Sequence, residues 1–349
     1  MIHAKEEKYF AASNGAGGFI NYYHTVFDVE KLAHLYIIKG GPGTGKSSFM
    51  RDVANRAEGE GNTVVYFYCS SDPDSLDGIL IKDKKIALLD GTAPHEKDPI
   101  YPGAREDMIN LGEFWDSDKL ARQFECIKGL NEDKKRCYIN AYSYLTAYAE
   151  QAKIADRLLD PCVLRDKMKG AVDRLMRSIP DGASYEESPY LLGSVGMRGR
   201  VCFDTYREMA GRVYTIRDTY HTAHAFLRLV REAAREKGLA TYVSYHPVLS
   251  DRIEALFFPD HKIALVIGEG QEGDKLINMR RFLDWTAFER RREGVRFAEK
   301  SAKDMMAGAC YFLKEAAHYH YELERIYTAA MDFDRKERYT AEFIKQLFG

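Results

Sequence analysis

Residues 40–47 read Gly-Gly-Pro-Gly-Thr-Gly-Lys-Ser, and no other stretch constrains the fold as much. The octet fits G-x-x-x-x-G-K-[ST], a glycine loop that holds phosphate between a strand and a helix. Its flanks have the required character. Leu35-Tyr-Ile-Ile-Lys39 is a short apolar, strand-forming run, and beyond Ser47 the residues Phe49, Met50, Val53, Ala54 and Ala57 recur at helical spacing. Glycines at 40, 41, 43 and 45 permit backbone angles that turn successive N–H groups toward one anion. The following helix aims the positive end of its dipole at the same point. Lys46 is expected to reach the β- and γ-phosphates, and Ser47 to place its hydroxyl on Mg²⁺. The candidate nucleotide-binding set is Gly40, Gly41, Pro42, Gly43, Thr44, Gly45, Lys46, Ser47 and Ser48.

Such a loop needs a carboxylate at the end of a neighbouring strand to hold the metal. Ile86-Ala-Leu-Leu-Asp90 supplies four apolar residues and then an acid, so Asp90 joins Lys46 as a candidate catalytic residue and Ser47 as a candidate metal ligand. Gly91 follows where a water-activating Glu often stands, which leaves the catalytic base unassigned. Thr92, His95 and Glu96 are placed to orient a water, and Arg105 to touch phosphate. Asp72, before Pro73, reads as a helix N-cap, with a metal-sphere role for Asp72 or Asp74 as the minority reading.

At 349 residues the chain is long enough for two cores. Lys and Arg number 51 against 53 Asp and Glu, which argues against an overall basic nucleic-acid binder. It leaves open a local patch between Arg280 and Arg296, where a solvated helix face is favoured over an anion site or an arginine that completes the first half's site. No apolar run approaches the roughly 18 residues of a membrane span. The N-terminal residues hold no signal core, and none of the six cysteines forms a C-x-x-C pair. The expectation is a cytoplasmic protein with reduced, mostly buried thiols. His221 and His224, three apart, have no third metal ligand nearby, and His318 and His320 share no helix face.

The chain also resembles itself. An offset of 177 aligns Phe49–Gly91 with Phe226–Gly268 without a gap, and thirteen of these 43 positions are identical. Upstream, Ser13, Gly15 and Gly18 pair with Ser194, Gly196 and Gly199. This reads as a tandem duplication. The second copy has Asp218-Thr-Tyr-His-Thr-Ala-His-Ala225 in place of the glycine loop, and Ile267 opposite Asp90. Apolar seams at Tyr138–Ala152 and Phe312–Ala330 predict helical hairpins attached to each core.

The strings Leu35–Ser47, Cys69–Asp77, Asp90–His95 and Gly18–Tyr23 resemble a poorly characterised family of bacterial P-loop ATPase-like proteins with two tandem nucleotide-binding repeats. The resemblance implies ATP as the nucleotide and ATPase activity. The sequence departs from the family in its second repeat, which lacks the glycine loop. The expected fold is therefore α/β: two tandem P-loop NTPase-like domains, 1–180 and 181–349, each a mainly parallel sheet flanked by helices with a helical-hairpin appendage. The expected function is Mg-ATP binding and hydrolysis by the first, with the second as an inert structural or regulatory partner. A small-molecule phosphotransferase, or a nucleotide-gated module with negligible turnover, are the alternatives. Protein partners are expected at the degenerate repeat or the helical appendages.

Overall fold

The computed structural model describes residues 6–93 and 96–349. The first half opens with β1 (Glu7–Phe10), a hairpin of β2 (Ala12–Gly15) and β3 (Gly18–Asn21), and the short α1 (Tyr23–Val26). Then come β4 (His34–Lys39), α2 (Lys46–Gly59), β5 (Val64–Tyr68), β6 (Leu76–Ile81), β7 (Ile86–Asp90) and β8 (Glu106–Asn110). It closes with α3 (Ser117–Arg122), the long α4 (Phe124–Leu159) and α5 (Arg165–Arg177). The second half repeats this order. It has β9 (Glu187–Ser188), β10 (Gly193–Gly196), β11 (Gly199–Cys202), α6 (Thr205–Met209), β12 (Arg212–Arg217) and α7 (Ala223–Glu236). There follow β13 (Thr241–Tyr245), β14 (Ile253–Phe258), β15 (Ile263–Ile267) and β16 (Lys275–Asn278), then α8 (Trp285–Glu289), α9 (Arg292–Ala330) and α10 (Phe333–Phe348).

Each half carries a six-stranded sheet, ordered β1-β5-β6-β7-β4-β8 in one and β9-β13-β14-β15-β12-β16 in the other. Both are mixed. β6 and β14 run antiparallel to both neighbours, and the remaining pairs are parallel. The tight turn before β7 and its counterpart before β15 both place a lysine in the left-handed region, Lys85 at φ 53° and Lys262 at φ 49°.

Alternation along the strands makes four layers. Leu35, Ile37, Val65, Phe67, Ala87 and Leu89 face the second sheet and share one core with Ala255, Phe257, Ala264 and Val266. Ile38, Val64, Tyr66 and Leu88 face α2, which buries Phe49, Met50, Val53, Ala54 and Ala57. Leu256, Phe258 and Leu265 face α7 in the same manner. Each sheet thus has helices on one face and the other sheet on its second face.

The helical hairpins expected on each core are not formed. α4 and α9 instead pack against each other, antiparallel, with Trp115 bridged to Met331 at one end and Val163 to Leu283 at the other. Gly308 admits the ring of Tyr144 at this seam, and Tyr144 stacks on Phe312. The shorter helices are then exchanged. α5 brings Met168, Val172, Leu175 and Met176 to α7 of the second half, and α10 brings Phe343 to α2 of the first. Phe343 packs against Tyr36 and Phe49 at ring distances of 4.9 and 5.2 Å. Among the described residues, no helix is long and apolar enough to cross a membrane.

Candidate functional site

Local backbone chemistry builds the loop between β4 and α2. Gly43 has φ 70° and Gly45 φ 84°, a region that side chains disfavour. Gly45 is the N-cap of α2 and has no side chain to cap it, and among the described residues no side chain accepts from the amides of the helix's first turn. Thr44 is buried and ties the loop by donating from Oγ1 to Gly41 O at 2.9 Å. Pro42 is half-buried at the bend.

β4 and β7 are parallel neighbours with Ile38 opposite Asp90, so the strand register brings the Asp90 carboxylate beside the loop. Lys46 Nζ donates to the carbonyls of Gly40 and Gly41 at 3.0 and 2.8 Å and lies 3.6 Å from Asp90 Oδ2. Asp90 Oδ1 accepts from the amide and hydroxyl of Thr92 at 2.9 and 2.6 Å. Burial pushes the Asp90 carboxyl above its ordinary value of 3.8, against the pull of Lys46 and Thr92. Ser47 Oγ accepts from the Leu76 amide at 3.1 Å.

Asp77, the next residue on β6, is a second buried carboxylate, and its charge helps to raise Asp90. It accepts from Tyr23 Oη at 2.9 Å. Sequence reading did not single it out, although the 177-residue offset pairs it with another acid, Glu254. Among the described residues no group of three or more His, Cys, Asp or Glu is placed to hold a metal ion. A Mg²⁺ carried in on a triphosphate needs only one or two protein oxygens. The Ser47 hydroxyl and the Asp90 carboxylate are hard donors of the right kind.

The outer side of the loop is covered by the second half of the chain. Thr328 Oγ1 donates to Gly43 O at 3.3 Å. A Cβ at Gly43 would stand 2.6 Å from that hydroxyl and 2.9 Å from Glu324 O, and one at Gly41 would stand 2.7 Å from the Tyr327 ring. Lys336 Nζ donates to Ser48 Oγ at 3.2 Å, and Ser48 in turn donates to Gly45 O at 2.9 Å. Two backbone bonds fix this arm, from Asp116 N to Ala330 O and from Asp332 N to Phe114 O. No sequence signal pointed to Glu324, Tyr327, Thr328 or Lys336, because only tertiary packing brings them here.

Several other expectations change. Arg105 does not reach phosphate: its Nη1 donates to the carbonyls of Val29 and Leu32 at 3.2 and 2.9 Å. Asp72 caps no helix. Its carboxylate accepts from Asp74 N and Ser75 Oγ in the turn before β6, and Asp74 pairs with Arg198. Glu96 is exposed, and His95 lies outside the described residues. Of the arginines from 280 to 296, Arg280 and Arg281 precede α8, Arg290 and Arg291 follow it, and Arg292 and Arg296 begin α9, about 50 Å along that helix from Thr328. They complete nothing at the glycine loop; Arg280 lies over the Trp285 ring and Arg291 bonds Ala287 O. All six cysteines are free, but only Cys162 is buried.

The equivalent loop of the second half is built differently. Asp218 follows β12 and accepts from Thr222 N and Ala223 N at 3.0 and 2.7 Å, capping α7 from within. His224 Nδ1 bonds His221 O at 2.8 Å. Ile216 faces Ile267, as Ile38 faces Asp90. Nearby, Glu254 is bound by Arg200 through both oxygens at 2.7 Å, and burial holds His246 well below the usual imidazole range.

Comparison with known proteins reaches part of the chain. The family model described as Nephrocystin 3, N-terminal, matches residues 22–80. That segment runs from the end of the first hairpin through the glycine loop and α2 into β6, and stops short of Asp90. No curated protein and no solved structure matches the chain.

Proposed function

We propose that the first half binds Mg-ATP at the 40–47 loop and hydrolyses it, and that the second half is a structural and regulatory partner descended from the same unit. The observation that carries this reading is the uncapped start of α2. First-turn amides, two left-handed glycines, Lys46 and Asp90 converge there, whereas Asp218 fills the equivalent place in the second half. In the bound state the loop amides hold the β-phosphate and Lys46 leaves its carbonyl partners for phosphate oxygen. Ser47 and Asp90 are the residues that would hold Mg²⁺, which would supply positive charge against the phosphates.

A nucleotide-gated module with little turnover is the second reading. The contact of Thr328 and Tyr327 with the loop favours it, because whatever fills the loop must also meet the arm. Nucleotide binding and phosphate release from Mg-ATP, measured together with Lys46→Ala, test both. Turnover abolished by Lys46→Ala supports the ATPase. Tight binding without turnover leaves the gated module, and no binding overturns both.

A further inference from the structure

Among the described residues, Lys336 is the basic side chain of the second half that bonds the first turn of α2, at Ser48. It is only 3% exposed. Its ammonium donates to the Ser48 hydroxyl at 3.2 Å, and among the described residues it forms no ion pair with a carboxylate. A buried ammonium without a counter-ion is costly to fold around. Packing alone does not call for one. α5 and α10 occupy equivalent places on the two sheets, and their entry bridges, Val163–Leu283 and Met331–Trp115, fix a common register. In that register Lys336 corresponds to Met168, which is 1% exposed and sits in the apolar core under α7. The apolar residue stands over the helix that carries its own Asp218 cap. The cation stands over the helix whose N-terminus has no side-chain cap.

We propose that Lys336 is a phosphate ligand: it supplies a cation to the nucleotide phosphate nearest Ser48, and through it the bound nucleotide clamps the arm formed by the end of α9 and α10 onto the first half. This rests on the phosphate-binding reading of the 40–47 loop and adds to it a ligand delivered from nearly 300 residues away, 288 in sequence from Ser48. The ligand class is a nucleoside di- or triphosphate. The neighbouring contacts of Thr328 and Tyr327 with Gly43 and Gly41 give the clamp its surface.

The test uses the full chain with Lys336→Met, which copies the residue of the other arm, Lys336→Arg, and Lys46→Ala as the control for the loop. Affinities for Mg-ATP and Mg-ADP are measured by calorimetry, and amide exchange of α10 is followed with and without Mg-ATP. Lys336→Met is expected to weaken both nucleotides roughly ten- to a hundredfold, the worth of one charge-assisted contact, without lowering the nucleotide-free melting temperature. Lys336→Arg should keep most of the affinity. Mg-ATP should slow α10 exchange in the wild type and in Lys336→Arg, and not in Lys336→Met. Wild-type affinity in Lys336→Met, with binding lost in Lys46→Ala, overturns the inference and leaves the loop reading standing. Unchanged α10 exchange in the wild type under saturating Mg-ATP also overturns it, even if Lys336→Met fails to fold. Absence of nucleotide binding by the wild type removes both readings.

Discussion

The two loops that follow β4 and β12 occupy matching places in matching sheets, yet they solve one electrostatic problem in opposite ways. A helix N-terminus presents unpaired amides and a partial positive charge. At α7 the chain answers with its own carboxylate, Asp218, bonded to Thr222 and Ala223. At α2 no side chain among the described residues answers, and Lys46 and Lys336 add positive charge instead. The first arrangement is complete by itself. On the proposed reading, the second is completed by a bound anion. Two scaffolds of the same topology would then differ in whether the anion belongs to the chain.

The largest test of this contrast removes Lys46. Lys46→Ala is expected to weaken Mg-ATP at least about a hundredfold, as loss of a charge-assisted phosphate contact does, while the melting temperature of the nucleotide-free protein stays near wild type. Retained affinity in calorimetry would dissolve the distinction between the loops. Next comes the fit of arm to loop. Gly43→Ala forces a side chain into φ 70° and against Glu324 O, and should cost about 2–3 kcal/mol in chemical denaturation. A neutral result would mean that the arm does not rest on the loop in solution. Asp218→Ala removes the internal anion of the second loop. It should cost about 1–2 kcal/mol, the usual worth of an N-cap, and leave Mg-ATP affinity unchanged.

The smallest effect is one of pH. The folded protein holds the Asp90 proton more tightly than the unfolded chain does. Between the ordinary value of 3.8 and the raised one, the nucleotide-free protein therefore gains stability as pH falls. On the proposed reading, in which the Asp90 carboxylate holds Mg²⁺, nucleotide affinity should fall over the same window as pH falls. Thr92→Val removes the hydroxyl that bonds Asp90 Oδ1, and should move the loss of binding to still higher pH. Titrations of affinity with and without this change, at matched ionic strength, would expose a shift in the wrong direction.

How far these features can be read from the chain depends on the range of the interaction that creates them. The strand before the loop, the apolar stripe of α2 and the acid at the end of β7 are local patterns, and the structure places all three as their spacing predicts. The α/β class and the two sheet-bearing halves follow from the same patterns. The antiparallel β6 is not legible in the sequence, because Asp72 before Pro73 reads as a helix N-cap, whereas its carboxylate closes a turn into a strand. The partner of each helix seam was not legible either. An apolar stripe fits equally well against its own half or the other, and only the sheet geometry sends α5 and α10 across. Lys336 shows the limit most clearly: on a helix with charged neighbours it reads as a solvated face, and its burial arises from packing against α2.

The exchange of α5 and α10 also bears on how the protein is made. Gly43 leaves the ribosome 285 residues before Thr328, the residue that comes to rest on it. At roughly 5–20 residues per second, that interval is about 15–60 seconds. Throughout it, the first half has its glycine loop but neither the arm that covers the loop nor the Phe343 that closes over Phe49. A nascent chain of this kind must keep that apolar face out of trouble until its own distant end arrives. An anion bound early at the loop would meet a site open to solvent, and the later docking of α10 would determine how readily it leaves.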